Sequence, residues 1–196
     1  MSWDRSIFDR IYAQAEDPWE VETSPYEIEK YRRTLAALPP GRFASALEVG
    51  CSIGAQTVQL AARCDRLLAL DISPEAVRRT RERCRGHAQV QVRQAMIPRD
   101  WPEGPFNLIV LSEVLYFLDL DDIAAAARRA AASLAPGGVI LLVNWTGETD
   151  TPTTGDEAAA AFAASCGGTM RLHRRCDRYR IDLLSPEPGP YGALTD

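Results

Sequence analysis

The stretch Ala46-Leu47-Glu48-Val49-Gly50-Cys51-Ser52-Ile53-Gly54, followed by Asp71 in the next apolar run LLALDIS (67–73), decides how this chain is read. An apolar segment that runs into an acid and then glycines is the pattern of a buried strand turning sharply beneath a helix, so that backbone N–H groups approach a ligand closely. An acid at the end of the next strand then meets a ribose. A glycine pair between strand and helix also arises from tight packing alone; the spaced acid and the order of the following elements favour half of a nucleotide-binding site.

Outward from that turn the chain alternates apolar strands with helices: strand 45–49, helix 54–63, strand 66–71, helix 74–84, strand 89–94, strand 106–112, helix 121–135 and strand 138–144. Such alternation requires crossover connections and predicts an α/β fold, a mostly parallel sheet with helices on both faces. The ligand crevice then lies beyond the carboxyl ends of the strands, where Gly50, Asp71, Ala95 and Glu113 fall. A helix over 156–166 and strands over 170–176 and 179–184 complete the series. Before the turn, Ile7, Phe8, Ile11 and Tyr12 recur at helical spacing within 4–15. After the loop DPWEVETS, the run Ser24-Pro25-Tyr26-Glu27 reads as a capping box opening a helix that Pro39-Pro40-Gly41 stops. The reading is one domain over 1–184, with a helical cap (1–43) on a core (44–184) and a loose proline- and glycine-rich tail (185–196).

Composition narrows the function. The 196 residues are 46% hydrophobic and 25% charged, ordinary for a globular chain. With 22 basic against 27 acidic residues, a net charge of −5 and no long basic run, a nucleic-acid backbone is a poor partner. The arginines of 78–85 and 171–180 are interrupted by acids and apolar residues and read as solvated faces, Arg180 as a brace between strands. The N-terminus lacks an apolar core segment and no run approaches the roughly 20 apolar residues that span a bilayer, so a cytoplasmic location without membrane contact is expected. Cysteines 51, 64, 84, 166 and 176, odd in number and widely spaced, read as reduced thiols. Two histidines and no CxxC pair argue against a metal site. A nicotinamide-dependent enzyme is disfavoured by the glycine spacing and by the lack of a catalytic histidine or a tyrosine and lysine pair; Lys30 is the only lysine.

The spacing E-x-G-x-S-x-G over Glu48–Gly54 resembles motif I of class I S-adenosyl-L-methionine (SAM) methyltransferases, with Ser52 where the middle glycine is usual. FNLIVL (106–111) resembles that family's FDLIV strand with Asn107 in place of the acid, and LAPGGVILL (134–142) its turn into the fifth strand. The resemblance implies a Rossmann-like, seven-stranded sheet whose last strand is antiparallel, SAM as cofactor and S-adenosyl-L-homocysteine (SAH) as product. It places Glu48 near the methionine end of SAM, the turn through Gly50, Cys51, Ser52 and Gly54 beneath methionine and ribose, and Asp71, beside Ile72, on the ribose hydroxyls. Ala95 and Met96 stand where an acid and an apolar residue usually meet adenine, leaving Gln94 or the backbone at 95–96 to read it. Ser112 and Glu113 lie next to the sulfonium.

Asp17-Pro18-Trp19, Thr23-Ser24, Tyr26-Glu27 and SEVLYFL (112–118) resemble the nodulation protein S family. NWTGETDTPTTGDEAAAAF (144–162) and DRYRIDLL (177–184) are similar to sequences in its relatives. The family's members are N-methyltransferases acting on the free amine of a deacetylated chitooligosaccharide, which implies a small-molecule acceptor, an amino sugar. Methyl transfer from a sulfonium is an in-line displacement in which the enzyme positions the nucleophile and strips water from it. An ammonium has no lone pair, so an amine acceptor must give up a proton. Glu113 is the first candidate to take it, with Asp150 and Asp156 next; Glu113 alternatively only holds Tyr116 or the cofactor. Trp19, Tyr26, Tyr116 and Trp145 are the candidate acceptor wall, and Trp19 and Tyr26 equally suit packing of the N-terminal helices onto the sheet. Transfer to oxygen, or a SAM-binding regulator without catalysis, remain as alternatives.

Overall fold

A computed structural model describes residues 1–185; positions 186–196, which hold nearly all of the expected tail, lie outside it. Seven strands form one sheet in the order β3-β2-β1-β4-β5-β7-β6. They are β1 (Ala46–Val49), β2 (Leu67–Asp71), β3 (Val90–Gln94), β4 (Phe106–Ser112), β5 (Leu134–Trp145), β6 (Thr169–Arg175) and β7 (Tyr179–Ser185). The first five are parallel to one another, and β7 enters between β5 and β6 antiparallel to both.

The alternation of each central strand splits its side chains between two apolar layers, as a sheet covered on both faces requires. Leu47, Ile109, Leu111, Ile140, Leu142 and Leu184 pack against α5 (Leu120–Ala132) and α6 (Gly155–Cys166). Ala46, Leu108, Val110, Leu141 and Leu183 pack against α3 (Ala55–Ala61) and the chain after α2 (Pro25–Ala36). Helix α4 (Pro74–Arg83), capped by Ser73, covers Ala69 and Val92. The alanine-rich runs are helix, as alanine's propensity demands: Ala126, Ala127 and Ala130 of α5 are fully buried against the sheet.

The N-terminal segment lies across the carboxyl ends of the strands. Helix α1 (Arg5–Gln14) is held at one end by the Trp3 N–H on the Phe117 carbonyl (2.9 Å) and by a cluster of Trp3, Phe8 and Phe117 rings. At its other end Arg79 of α4 donates to the carbonyls of Tyr12, Ala15 and Glu16, a cation on the negative end of the helix. Helix α2 begins with Pro25 as expected, yet Ser24 makes no side-chain cap bond, and Glu27 turns away from the helix start. The expected capping box is therefore absent there.

A capping box does form at α6, where Thr154 and Glu157 exchange bonds. The helix can start there only because position 155 is glycine: a Cβ would sit 1.7 Å from the Trp145 carbonyl oxygen. Gly155→Ala is expected to destabilise the fold by roughly 2–3 kcal/mol through overpacking against backbone, and Thr154→Ala by about 1 kcal/mol through loss of the cap. Urea unfolding of both variants checks the order; an alanine at 155 no worse than one at 154 would refute this account of the α6–β5 junction.

Candidate active site

A cavity of about 670 Å³ opens at the carboxyl ends of β1, β2 and β4 beneath α1. Its floor is the turn after β1. The N–H groups of Gly50 and Cys51 donate to the Leu70 carbonyl (2.8 and 2.9 Å), lashing the turn to β2. Gly50 has φ +84°, and a Cβ on it would stand 2.2 Å from Val114 Cγ2, so no larger residue fits. Ser52, at φ +50°, donates its N–H to Asp71 Oδ2 (2.9 Å), and its hydroxyl accepts from the Tyr12 hydroxyl (2.9 Å). Asp71 Oδ1 accepts from the Ser73 N–H (2.9 Å), so each carboxylate oxygen keeps a lone pair toward the cavity that it lines. Burial raises the Asp71 carboxyl to about 6, against the pull of those backbone donors.

Among the described residues, Glu48 Oε2, Gln56 Nε2 and Thr57 Oγ1 are buried near this floor without a hydrogen-bond partner of good geometry. Glu48 lies beneath the turn, and Gln56 is on the cavity wall. Burial raises Glu48 to about 7, against the pull of the neighbouring Thr57 hydroxyl and with the nearby Asp71 charge adding to the rise.

The far wall beside β3 is apolar. Ala95, Met96 and Ile97 line it with Arg99. The backbone donors expected to read adenine are occupied within the protein: the Ala95 N–H bonds the Asp71 carbonyl (2.9 Å), the Met96 N–H bonds Asp100 (3.0 Å) and Gln94 Nε2 bonds the Ile72 carbonyl (3.0 Å). Asn107, in place of an acid, accepts from the Ser45 N–H (3.2 Å) and serves the sheet.

Opposite lies a group of charges. Lys30 of α2, 3% exposed, places Nζ 2.8 Å from both oxygens of Glu27 and 2.9 Å from Glu113 Oε1. Glu113 has φ +57°, a strained conformation for a non-glycine residue and one that recurs at functional sites. Its Oε2 accepts from the Tyr116 hydroxyl (2.8 Å) and the Trp145 N–H (2.9 Å). Glu27, Lys30, Tyr31, Glu113, Tyr116 and Trp145 all line the cavity.

The structure brings together Gly50, Cys51, Ser52, Asp71, Ile72, Ala95, Met96, Ser112, Glu113, Trp19, Tyr116 and Trp145 on one cavity surface. Glu48 sits under it, and Gly54 is the α3 N-cap packed on Thr80. Three expected residues stand outside. Tyr26 lies behind Trp145, edge-on to it and to Tyr179 (6.1 and 5.8 Å between ring centroids), so it supports the wall. Asp150 is exposed between Thr149 and Thr151, which do reach the cavity. Asp156 is bound by Arg175 (2.8 and 2.9 Å) and Arg180 (2.9 Å) in a separate cluster that ends on buried Asp182 and His173. Arginine claims on both its oxygens leave it no free path to the cavity. The sequence reading missed Tyr12, Glu27, Lys30 and Gln56. The one available signal was that Lys30 is the sole lysine, on the apolar side of a helix beside Tyr31.

A sheet of this order, with the turn after the first strand and the acid ending the second meeting in one cavity, defines the class I methyltransferase fold. The sequence profile described as Nodulation protein S (NodS) matches residues 6–148. Nodulation protein S of Rhizobium tropici is 40% identical over 126 residues, covering 63% of this chain and 53% of that protein. The crystal structure of N-methyltransferase NodS from Bradyrhizobium japonicum WM9 in complex with SAH superposes with a TM-score of 0.84 at 25% identity, over 93% of this chain and 98% of that one. A crystal structure of a putative methyltransferase from Pseudomonas syringae matches with a TM-score of 0.72 at 34% identity, over 81% and 97%. This chain belongs to the nodulation protein S family. It spans a little over half the length of the curated relatives it matches.

The buried Glu48 carries a test of its own. A carboxyl whose pKa is higher in the folded chain (about 7) than in the unfolded one (4.5) binds the extra proton only when folded. Its stabilising contribution is complete below pH 4.5 and is lost as pH rises through about 7. Glu48→Gln removes that loss, so its melting temperature is expected to gain on the parent's steadily between pH 4.5 and 7 and to stay ahead above. Parallel melting curves for the two across this range would overturn the assignment.

Proposed function

We propose that this protein is a SAM-dependent methyltransferase that methylates the nitrogen of an amine on an amino sugar or oligosaccharide. The observation that carries this reading is the division of one cavity into an end lined by the turn after β1 and the Asp71 carboxylate, and an acidic, aromatic end at Glu27, Glu113, Tyr116 and Trp145. The likeness to NodS, solved with SAH and titled an N-methyltransferase, supports it.

The residues fit the cofactor. Asp71 offers two lone pairs to vicinal hydroxyls, and the unpaired Gln56 Nε2 and Glu48 Oε2 mark a polar end where an amino-acid moiety finds partners. Met96 and Ile97 give adenine an apolar face. When bound, SAM supplies a sulfonium methyl open to in-line attack. The chain's own part is orientation and exclusion of water, effects worth several kcal/mol. Trp3, Phe8, Tyr12 and Trp19 of the N-terminal segment close over the cavity as apolar surface, Trp19 edge-on to Tyr12. Trp145 and Tyr116 present faces against which a sugar ring packs. The carboxylates hold an ammonium: Glu27, Glu113 and Lys30 together carry one surplus negative charge, matched by a monocation.

Calorimetry is expected to show SAH binding and none of NAD, with Asp71→Ala weakening SAH by about 1.5–3 kcal/mol, the scale for deleting a charged hydrogen-bond partner. Labelled SAM incubated with a free-amine chitooligosaccharide, glucosamine, an aminoglycoside and a phenol is expected to mark nitrogen. Tight NAD binding without SAH binding, or label on oxygen alone, would overturn the reading.

A further inference from the structure

The two cavity carboxylates are not equivalent. Glu113 accepts three bonds, from Lys30 Nζ, the Tyr116 hydroxyl and the Trp145 N–H. All three partners are donors; they fill both lone pairs of Oε2 and one of Oε1, leaving Glu113 a single lone pair, on the oxygen that holds Lys30. Glu27 is different. Its only hydrogen-bond partner among the described residues is Lys30, which contacts both its oxygens and still holds Glu113 when it releases one. Ser24 makes no cap bond, so nothing at the start of α2 holds the Glu27 carboxylate against the helix. We propose that Glu27, rather than Glu113, takes the proton from the acceptor's ammonium, with Lys30 as the positioning residue that gives the two carboxylates different tasks; this rests on the reading of the site as an amine methyltransferase.

In that step one N–H bond of the ammonium breaks, its electron pair stays on nitrogen as the attacking lone pair, and the proton forms an O–H bond on Glu27. The proton leaves to water after product release. The surroundings suit it. Burial raises the Glu27 carboxyl, and Glu113 at the end of β4 and Asp17 in the preceding loop push it the same way. Lys30 alone among its neighbours opposes them, while Tyr26 and Tyr31 of α2 and Tyr116 stay neutral, each raised by burial. Glu113, spoken for by its three donors, fixes Tyr116 and the Trp145 backbone around the acceptor.

The test compares Glu27→Gln, Glu27→Asp and Glu113→Gln on the amine that the parent methylates fastest, following kcat and KM against pH, with SAH binding measured on each variant. Glu27→Gln is expected to lower kcat by about 10²-fold or more and to lose the acidic limb set by the Glu27 carboxyl, the rate instead rising about tenfold per pH unit up to the pKa of the amine itself. Its SAH affinity stays within about 3-fold, since Asp71 and the turn are untouched. Glu27→Asp keeps the limb at reduced kcat, which separates a lost proton acceptor from a damaged fold. Glu113→Gln raises KM and retains the limb. A Glu27→Gln variant with the parent's limb, or a limb lost only in Glu113→Gln, overturns the assignment and leaves the methyltransferase reading standing. A parent that binds SAH and methylates no amine overturns both.

Discussion

The ligand side of this protein depends on the bond between the Ser52 N–H and the Asp71 carboxylate. It joins the turn after β1 to the end of β2, two strands already paired in parallel, and so holds the cavity floor and the Asp71 carboxylate in one frame. Burial raises the Asp71 carboxyl, and the Ser52 and Ser73 N–H groups pull it back down. Ser52 also receives the Tyr12 hydroxyl, and Arg79 binds the carbonyls that end α1. The core turn, the end of β2 and the N-terminal cap are thereby coupled through one residue.

Burying Lys30 between Glu27 and Glu113 is a different kind of constraint. Taking three charges out of water is unfavourable, and their mutual attraction offsets that only with good geometry, here 2.8–2.9 Å contacts on every oxygen that Lys30 meets. Removing the lysine would leave two like charges facing one another in a dry wall, so the ammonium is as necessary to the site as the acids. The strained backbone of Glu113 is held by the bonds of its own side chain to Lys30, Tyr116 and Trp145. Such over-determination lets an unfavourable backbone conformation persist.

The arginine and acid cluster of β6, β7 and α6 serves another end. Asp182, without solvent exposure, is paired by Arg180 and His173, and Arg180 passes on to Asp156 at the start of α6. This brace ties the antiparallel end of the sheet to the helix whose entry depends on Gly155.

Much of the cofactor end was legible in the sequence. Buried parallel strands must be nearly continuous apolar runs, and a chain turning under a helix at close quarters must use glycine, so ALEVG and LLALD declared their strands, their ends and their acids. The element order followed, with boundaries shifted by a few residues, as where β5 begins at Leu134 instead of 138. The acceptor end was decided only by tertiary structure. Glu27 and Lys30, three apart on a helix, look from sequence like a cap and a surface pair; they become a buried site because α2 folds back onto the sheet and meets Glu113, 83 positions away. Tyr26 and Asp156 were equally plausible lining residues by type. Packing turned Tyr26 behind Trp145, and the arginines brought alongside by the antiparallel pairing of β6 and β7 captured Asp156. Local sequence dictates where backbone must turn and which faces must be dry; which charges meet across the cavity depends on side-chain directions that the assembled layers impose.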